Sequence, residues 1–275
     1  MTLAQVLAEA ARRGLARLDA QLLLLHAIGR ATADRAWLLV HDEDAIEPQA
    51  LAAFTALCDR RLAGEPVAYL VGRKEFFGLD LQVDARVLVP RPDTEVLVEW
   101  SLAVLAGTDA PRVADLGTGS GAIALAIQHR RPDARVTAVD ASPAALEVAQ
   151  ANADKLRLDV RFLQSHWLEA VEGRFDLLVS NPPYVAEADE HLAALAHEPR
   201  MALVSGPDGL DDIRAIVAQA PLHLAEGGWL LLEHGWDQAP AVRGLLSAAG
   251  FASVQSRRDL AGIERCSGGR WLERG

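Results

Sequence analysis

Through "LAQVLAEAARRGL", "ARLDAQLLLLHAIG" and "PQALAAFTALCDRRLAGEP", apolar side chains recur at three- and four-residue spacing until a Gly and a Pro stop the pattern. That period predicts helices and no strand before Pro66. Beyond it the pattern becomes alternation, with Leu79, Leu81 and Val83, then Val87, Leu88 and Val89 in "EFFGLDLQVDARVLVP", which predicts a β-hairpin with those two runs as its arms. From Thr94 the periods alternate: helix "TEVLVEWSLAVLAG", strand "RVADLG", helix "GAIALAIQHR", strand "RVTAVD" and helix "PAALEVAQANADKL". Strands "DVRFLQ" and "FDLLVS", helix "DDIRAIVAQAPLHL" and strand "GWLLLEHG" follow. Strands alternating with helices of this length predict an α/β fold with a doubly wound, mostly parallel sheet. The expected organisation is a helical domain over residues 1–73, a β-hairpin linker over 74–93 and an α/β domain over 94–275.

Composition narrows the class. At 275 residues, 51% hydrophobic and 24% charged, the chain can bury a full core. Cys58 and Cys266 are too few and too far apart for a disulfide framework or a zinc pattern, and no long apolar segment opens the chain. A cytoplasmic location with no membrane association is expected. A net charge of -11 argues against general attraction to nucleic acid, whose non-specific affinity comes mostly from Lys and Arg on phosphates.

Two stretches change the picture. In "VADLGTGSGAIALA" a buried strand ends at Leu116, and Gly117, Gly119 and Gly121 let the backbone turn tightly and approach a ligand before the next helix begins. Neither the full G-x-G-x-x-G spacing nor the Lys-Ser/Thr of a P-loop is present. The next strand ends at Asp140, where a carboxylate can accept hydrogen bonds from two ribose hydroxyls; its alternative role, capping the helix at Pro143, is one that Ser142 fills equally well. An adenosine-type ligand is implied. NAD is one candidate, and S-adenosylmethionine fits better because it has no pyrophosphate to demand the dinucleotide spacing. Asp115, just before the glycines, either helps hold an amino-acid moiety or organises the loop through its amides.

The second stretch is "FDLLVSNPPYVAEAD", an apolar strand stopped by Asn181, Pro182, Pro183 and Tyr184. Asn181 is expected at the same carboxyl edge of the sheet as the glycines and Asp140. The two prolines remove backbone donors and fix φ, leaving the Asn181 side-chain oxygen and nearby carbonyls as acceptors in a stiff frame. Such a frame suits a planar NH2 group, whose nitrogen it can orient, with Tyr184 laid against the plane to exclude water.

"NPPY" downstream of "DLGTGSG" resembles the amino-methyltransferases that use S-adenosylmethionine, and longer matches resemble the HemK/PrmC release-factor glutamine methyltransferases. Those matches include "GEPVAYLVGRKEFFGLDLQV", "VLVPRPDTEVLVE", "AVDASPAALEVAQANA", "EPRMALVSGPDGLDDIR" and "RDLAGIERC" and span most of the chain. "PRPDTE" and "EPRMAL" are the more specific, since NPPY is shared with adenine methyltransferases. The resemblance implies a Rossmann-like methyltransferase sheet behind a small N-terminal helical domain that grips a protein substrate. It implies methylation of the side-chain nitrogen of the glutamine in the Gly-Gly-Gln motif of peptide chain release factors, with S-adenosylhomocysteine as product and no metal. The alternative substrates are a ribosomal-protein glutamine or an exocyclic amine of a nucleic acid. Carried over by position, Gly117, Thr118, Gly119, Ser120 and Gly121 form the cofactor loop, Asp140 meets the ribose, Trp167 lies near the adenine, and Asn181 to Tyr184 hold the glutamine. His166 stands where the family commonly has an acid; it is either a neutral acceptor or a solvent-facing loop residue. His191, His197 and His234 are not needed, because amide methylation requires no strong base beforehand.

Overall fold

The computed structural model describes residues 1–273. Compactness divides the chain into two units, Met1–Arg73 and Lys74 onward. The first holds α1 (Leu3–Arg12), α2 (Arg17–Ala27), α3 (Arg35–Val40), α4 (Pro48–Leu62) and α5 (Val67–Val71). Helix α1 starts where it does because Thr2 and Gln5 cap one another: the Gln5 amide donates to the Thr2 hydroxyl, and the Gln5 side chain accepts from the Thr2 amide. Pro48 opens α4, where its missing N–H costs nothing. Leu3, Val6, Leu23, Leu24, Leu25, Phe54 and Cys58 form a core belonging to this unit.

The second unit opens with the hairpin β1 (Arg73–Phe76) and β2 (Leu79–Gln82), followed by α6 (Glu95–Val104), β3 (Arg112–Leu116), α7 (Ala122–Arg130) and β4 (Arg135–Asp140). Then come α8 (Pro143–Leu156), β5 (Arg161–Gln164), β6 (Phe175–Ser180), α9 (Asp211–His223), β7 (Leu224–Glu233), α10 (Ala239–Ala248), β8 (Ala252–Arg258) and β9 (Glu264–Arg270). The large sheet runs β5-β4-β3-β6-β7-β9-β8, parallel from β5 to β7 and antiparallel at β9 and β8. Successive side chains of a strand point to opposite faces, and here both faces are covered, so the inner strands are largely apolar. Val113, Leu177 and Val179 join α6 and α7 in one core, while Ala114, Leu116, Leu178, Leu230 and Leu232 join α9 and α10 in the other. The doubly wound sheet is the expected one.

Register aligns the site. Leu116 pairs with Val139 on one side and Ser180 on the other. The chain therefore leaves the sheet side by side at Gly117, Asp140 and Asn181.

Two expectations need correction. The hairpin turns at Phe77–Gly78, not beyond Val83: φ is 51° and 82° at these residues, the two-residue turn whose twist matches a hairpin. The run Val87–Val89 is not its second arm. Val87 and Val89 are buried, but the Val89 amide donates to Glu198 Oε2 at 3.0 Å instead of a neighbouring strand. The antiparallel pair β8–β9 and helix α10 were also not anticipated. Strand β8 buries none of its residues fully, and β9 carries Ser267, Gly268 and Gly269, so neither shows an apolar run.

Asn152 of α8, fully buried, fastens the hairpin to the glycine loop: its Oδ1 accepts from the Gln82 amide at 2.7 Å, and its Nδ2 donates to the carbonyls of Gln82 and Ser120 at 3.0 and 2.9 Å. Replacing it with Leu would take this partner from the Gln82 amide and from two carbonyls, that of Ser120 buried. Asn152→Leu is expected to lower unfolding free energy by about 2–3 kcal/mol, as buried groups left unpaired typically cost. Urea titration measures this, and a loss below about 1 kcal/mol would mean that water or rearrangement replaces the side chain.

Candidate active site

At the carboxyl ends of β3, β4 and β6 lies a cavity of about 320 Å³. Gly117, Thr118, Gly119, Ser120, Asp140, Trp167, Asn181 and Pro183 line it. Gly121 lies outside the lining and caps α7 in the left-handed region. Pro182 and Tyr184 also lie outside it. The expected cofactor loop and the Asn-Pro-Pro turn thus share one wall, and the Tyr184 ring stands behind rather than in it.

The loop is held from beneath. Asp115, fully buried, accepts at Oδ2 from the Thr118 hydroxyl at 2.6 Å and the Ala124 amide at 3.1 Å. Of the two readings of Asp115, the geometry supports the loop organiser, since its contacts run to loop and helix and it is not in the cavity lining. The Gly117 and Thr118 amides both donate to the Val139 carbonyl at 2.8 Å, bending the chain over β4. At Gly117, φ is +71° and an added Cβ would sit 3.2 Å from Trp167 Cζ3, so glycine lets the loop rest on the indole. Gly119 has φ +54° with open space where a Cβ would be, and its amide donates to Asp140 Oδ2 at 2.9 Å.

Asp140 also accepts from the Ser142 amide at Oδ1, 2.9 Å away, while Ser142 itself caps α8 through the Ala145 amide. Each carboxylate oxygen keeps a further lone pair for a hydroxyl donor. Burial pushes the Asp140 pKa up, against hydrogen bonds from the amides of Ser142 and Gly119. Trp167 is 9% exposed, holds φ at +48° and donates Nε1–H to Asp212 Oδ1 at 3.1 Å, which fixes its ring in the wall. His166 also lines the cavity, yet its side chain is largely exposed and meets Glu169 at 3.3 Å. Asn181 donates Nδ2–H to the Thr94 hydroxyl at 3.2 Å, and its Oδ1 is buried with no partner.

The rest of the lining includes residues that chemistry alone did not single out: Pro90, Arg91, Thr94, Pro199, Met201 and Val204. Arg91 and the Val89 amide both bond the buried Glu198, joining "PRPDTE" to "EPRMAL". Behind them the Tyr184 hydroxyl donates to Glu233 Oε1 at 3.4 Å, and burial raises the tyrosine pKa. The histidines stay apart from this chemistry. His191 is exposed beside Asp189, and His197 is exposed. His234 is buried, which lowers its pKa, and its Nδ1 and Nε2 meet the Gly235 carbonyl and the Ser267 hydroxyl.

Comparison with known proteins adds kinship to geometry. Residues 94–235 match the methyltransferase small domain family and residues 2–72 match the PrmC N-terminal domain family. A release factor glutamine methyltransferase of Bordetella pertussis is 54% identical, covering 93% of this chain and 95% of that protein. The chain belongs to the release factor glutamine methyltransferase family. One from Burkholderia pseudomallei is 53% identical over 92% of this chain and 91% of that protein. A solved methyltransferase from Pyrococcus furiosus, 21% identical and covering 78% of this chain and 98% of that one, has a TM-score of 0.55, a likeness of fold. Among the described residues no helix is long and apolar enough to cross a membrane.

Burial lifts the Asp115 carboxyl from 3.8 to about 7. Between those values the folded chain keeps a proton that the unfolded chain has lost, so raising the pH through that window destabilises the fold, fully by the upper end. Glu233, lifted by burial from 4.5 to about 7, acts in the same direction. Asp115→Asn removes one of these titrations. The fall in melting temperature from about pH 4.5 to 7.5 is therefore expected to be shallower in the variant. Parallel curves for variant and wild type, by thermal unfolding without ligand, would remove Asp115 from the linkage.

Proposed function

We propose that the chain transfers a methyl group from S-adenosylmethionine to the side-chain amide nitrogen of the glutamine in the Gly-Gly-Gln motif of peptide chain release factors. The observation that carries this is the Asn181 oxygen, a buried acceptor without a protein partner in the wall of the cavity bounded by the glycine loop. An unpaired buried acceptor is costly unless a ligand donor meets it, and a glutamine NH2 is such a donor.

The residues present fit the cofactor. Asp140 offers acceptors to ribose hydroxyls, the Trp167 indole offers a flat face beside Gly117, and the glycine loop leaves the cavity open to a close approach. Bound there, S-adenosylmethionine would supply an electrophilic methyl group, leaving S-adenosylhomocysteine. The chain's own task is to orient the amide. Its nitrogen lone pair is delocalised into the carbonyl, and acceptors on both N–H bonds turn the nitrogen toward the methyl and favour the less delocalised geometry. Asn181 Oδ1 is one acceptor; a carbonyl of the proline turn is the other. The prolines donate nothing that would compete. Once methylated, the nitrogen is acidic and loses a proton without a dedicated base, which accords with histidines placed away from the cavity or facing solvent. The same reading assigns substrate gripping to the N-terminal helical unit.

Asp140→Ala is expected to weaken S-adenosylmethionine binding by about 1.5–3 kcal/mol, the range for hydrogen bonds to a charged group. Calorimetry showing unchanged affinity would take Asp140 out of the site. Asn181→Ala is expected to slow single-turnover methylation of a Gly-Gly-Gln peptide about 10²–10³-fold, as loss of a preorganised hydrogen-bonding group does, with a much smaller effect on cofactor affinity. Asn181→Asp, which keeps an acceptor oxygen, should retain partial activity. An alanine variant at near wild-type rate would refute the assigned role.

A further inference from the structure

"PRPDTE" is among the more specific stretches of the sequence, and the reading above leaves its threonine without a task. Thr94 is 4% exposed and lines the cavity. Its hydroxyl accepts from Asn181 Nδ2 at 3.2 Å. A hydroxyl has one proton, so with Asn181 donating to it, Thr94 must donate elsewhere. Glu233, 2% exposed, accepts from the Tyr184 hydroxyl at 3.4 Å, and the Thr94 hydroxyl beside it holds the carboxyl pKa down against burial. Glu233 ionises as the pH passes about 7, and an ionised carboxylate only accepts, so in that form it imposes one direction on both hydroxyls.

That direction passes to Asn181. The O and NH2 ends of an asparagine amide are nearly the same size, and a half-turn about the last bond swaps them at little steric cost. The swap would aim donors at the substrate's own NH2 and turn attraction into repulsion. Asn181 Oδ1 has no protein partner of its own to prevent it.

We infer that Thr94, anchored by Glu233, is a positioning residue that locks the Asn181 amide with its oxygen toward the substrate nitrogen. This rests on the proposed role of Asn181 as the acceptor for the glutamine amide. It makes the same residues that close Thr94 and Tyr184 onto Glu233 responsible for the polarity of the whole turn, one end through Asn181 and the other through Tyr184.

Single-turnover methylation of a Gly-Gly-Gln peptide at saturating S-adenosylmethionine, with cofactor affinity by calorimetry, tests it in wild type, Thr94→Val, Thr94→Ser, Asn181→Ala and the double variant Thr94→Val, Asn181→Ala. Thr94→Val should be about 10- to 50-fold slower with cofactor affinity within about 3-fold, and Thr94→Ser should return to within about 3-fold of wild type. In the Asn181→Ala background the valine substitution should cost less than about 2-fold, because the group it positions is gone. Equal losses in both backgrounds, a wild-type rate for Thr94→Val, or no rescue by serine would each overturn the inference. If Thr94→Val does not fold, Thr94→Ala takes its place under the same criteria. A wild-type protein inactive on the glutamine peptide would instead bring down the proposed function, and this inference with it.

Discussion

The reversal of strand order at β3 is the constraint on which the site depends. Going one way along the sheet, the chain adds β4 and β5; going the other, it adds β6 and β7. Right-handed crossovers then send the connecting helices to opposite faces, and a crevice opens where they part. Three strand ends face that crevice at one level because Leu116 is in register with both Val139 and Ser180. Gly117, Asp140 and Asn181 come from three crossovers, yet their positions follow from a single ladder.

The ladder supplies only part of the lining. The rest includes irregular chain, and irregular chain needs partners for its backbone amides. Glu198 provides one, accepting from the Val89 amide while pairing with Arg91. Asp115 does the same for the Ala124 amide and the Thr118 hydroxyl, and Asn152 for the backbone of Gln82. Each is a buried polar side chain whose desolvation is offset by hydrogen bonds, to segments far away in sequence for Glu198 and Asn152 and to the loop and helix just after it for Asp115. The balance is incomplete at Asp115 and Glu233, where each carboxyl leaves one oxygen unpaired and titrates near 7. Stability is thus given up beneath the loop and behind the proline turn, the places where geometry must not drift.

What was legible in the sequence was local. The glycine loop, Asp140 and the Asn-Pro-Pro turn each sit at the end of a buried strand, and buried parallel strands are continuous apolar runs that show where they stop. Trp167 could be placed only by resemblance, since its seat depends on Gly117 and Asp212, neither adjacent in sequence. The hairpin was misplaced because an apolar Phe77 occupies a turn position at positive φ, and because Val87–Val89 is buried by tertiary packing without being a strand. Strands β8 and β9 were missed for the opposite reason. They pair at the edge of the sheet, where alternation is weak and Gly268 is required by close approach: an added Cβ there would lie 2.7 Å from the Leu230 carbonyl oxygen. Thr94 and Glu233 carry no periodic signal at all; they meet only because α6 begins beside the end of β7.

The chemistry asked of this site explains why its charges are kept at a distance. An amide nitrogen attacks a cationic methyl donor only if its N–H bonds are held by acceptors and no donor competes for its lone pair. A carboxylate in direct contact would hold the N–H bonds more strongly, but it would also attract the cation and reward the ground state as much as the transition state. In the proposed arrangement Asn181 offers an acceptor without net charge, and the carboxylate that polarises it, Glu233, stands one hydroxyl back, behind Thr94. Once Glu233 ionises, its charge sets direction through Thr94 while the substrate meets only neutral oxygens. A neutral acceptor is weaker than a charged one, and its advantage is that it favours the amide geometry needed for transfer without binding the cofactor's charge more tightly before transfer occurs.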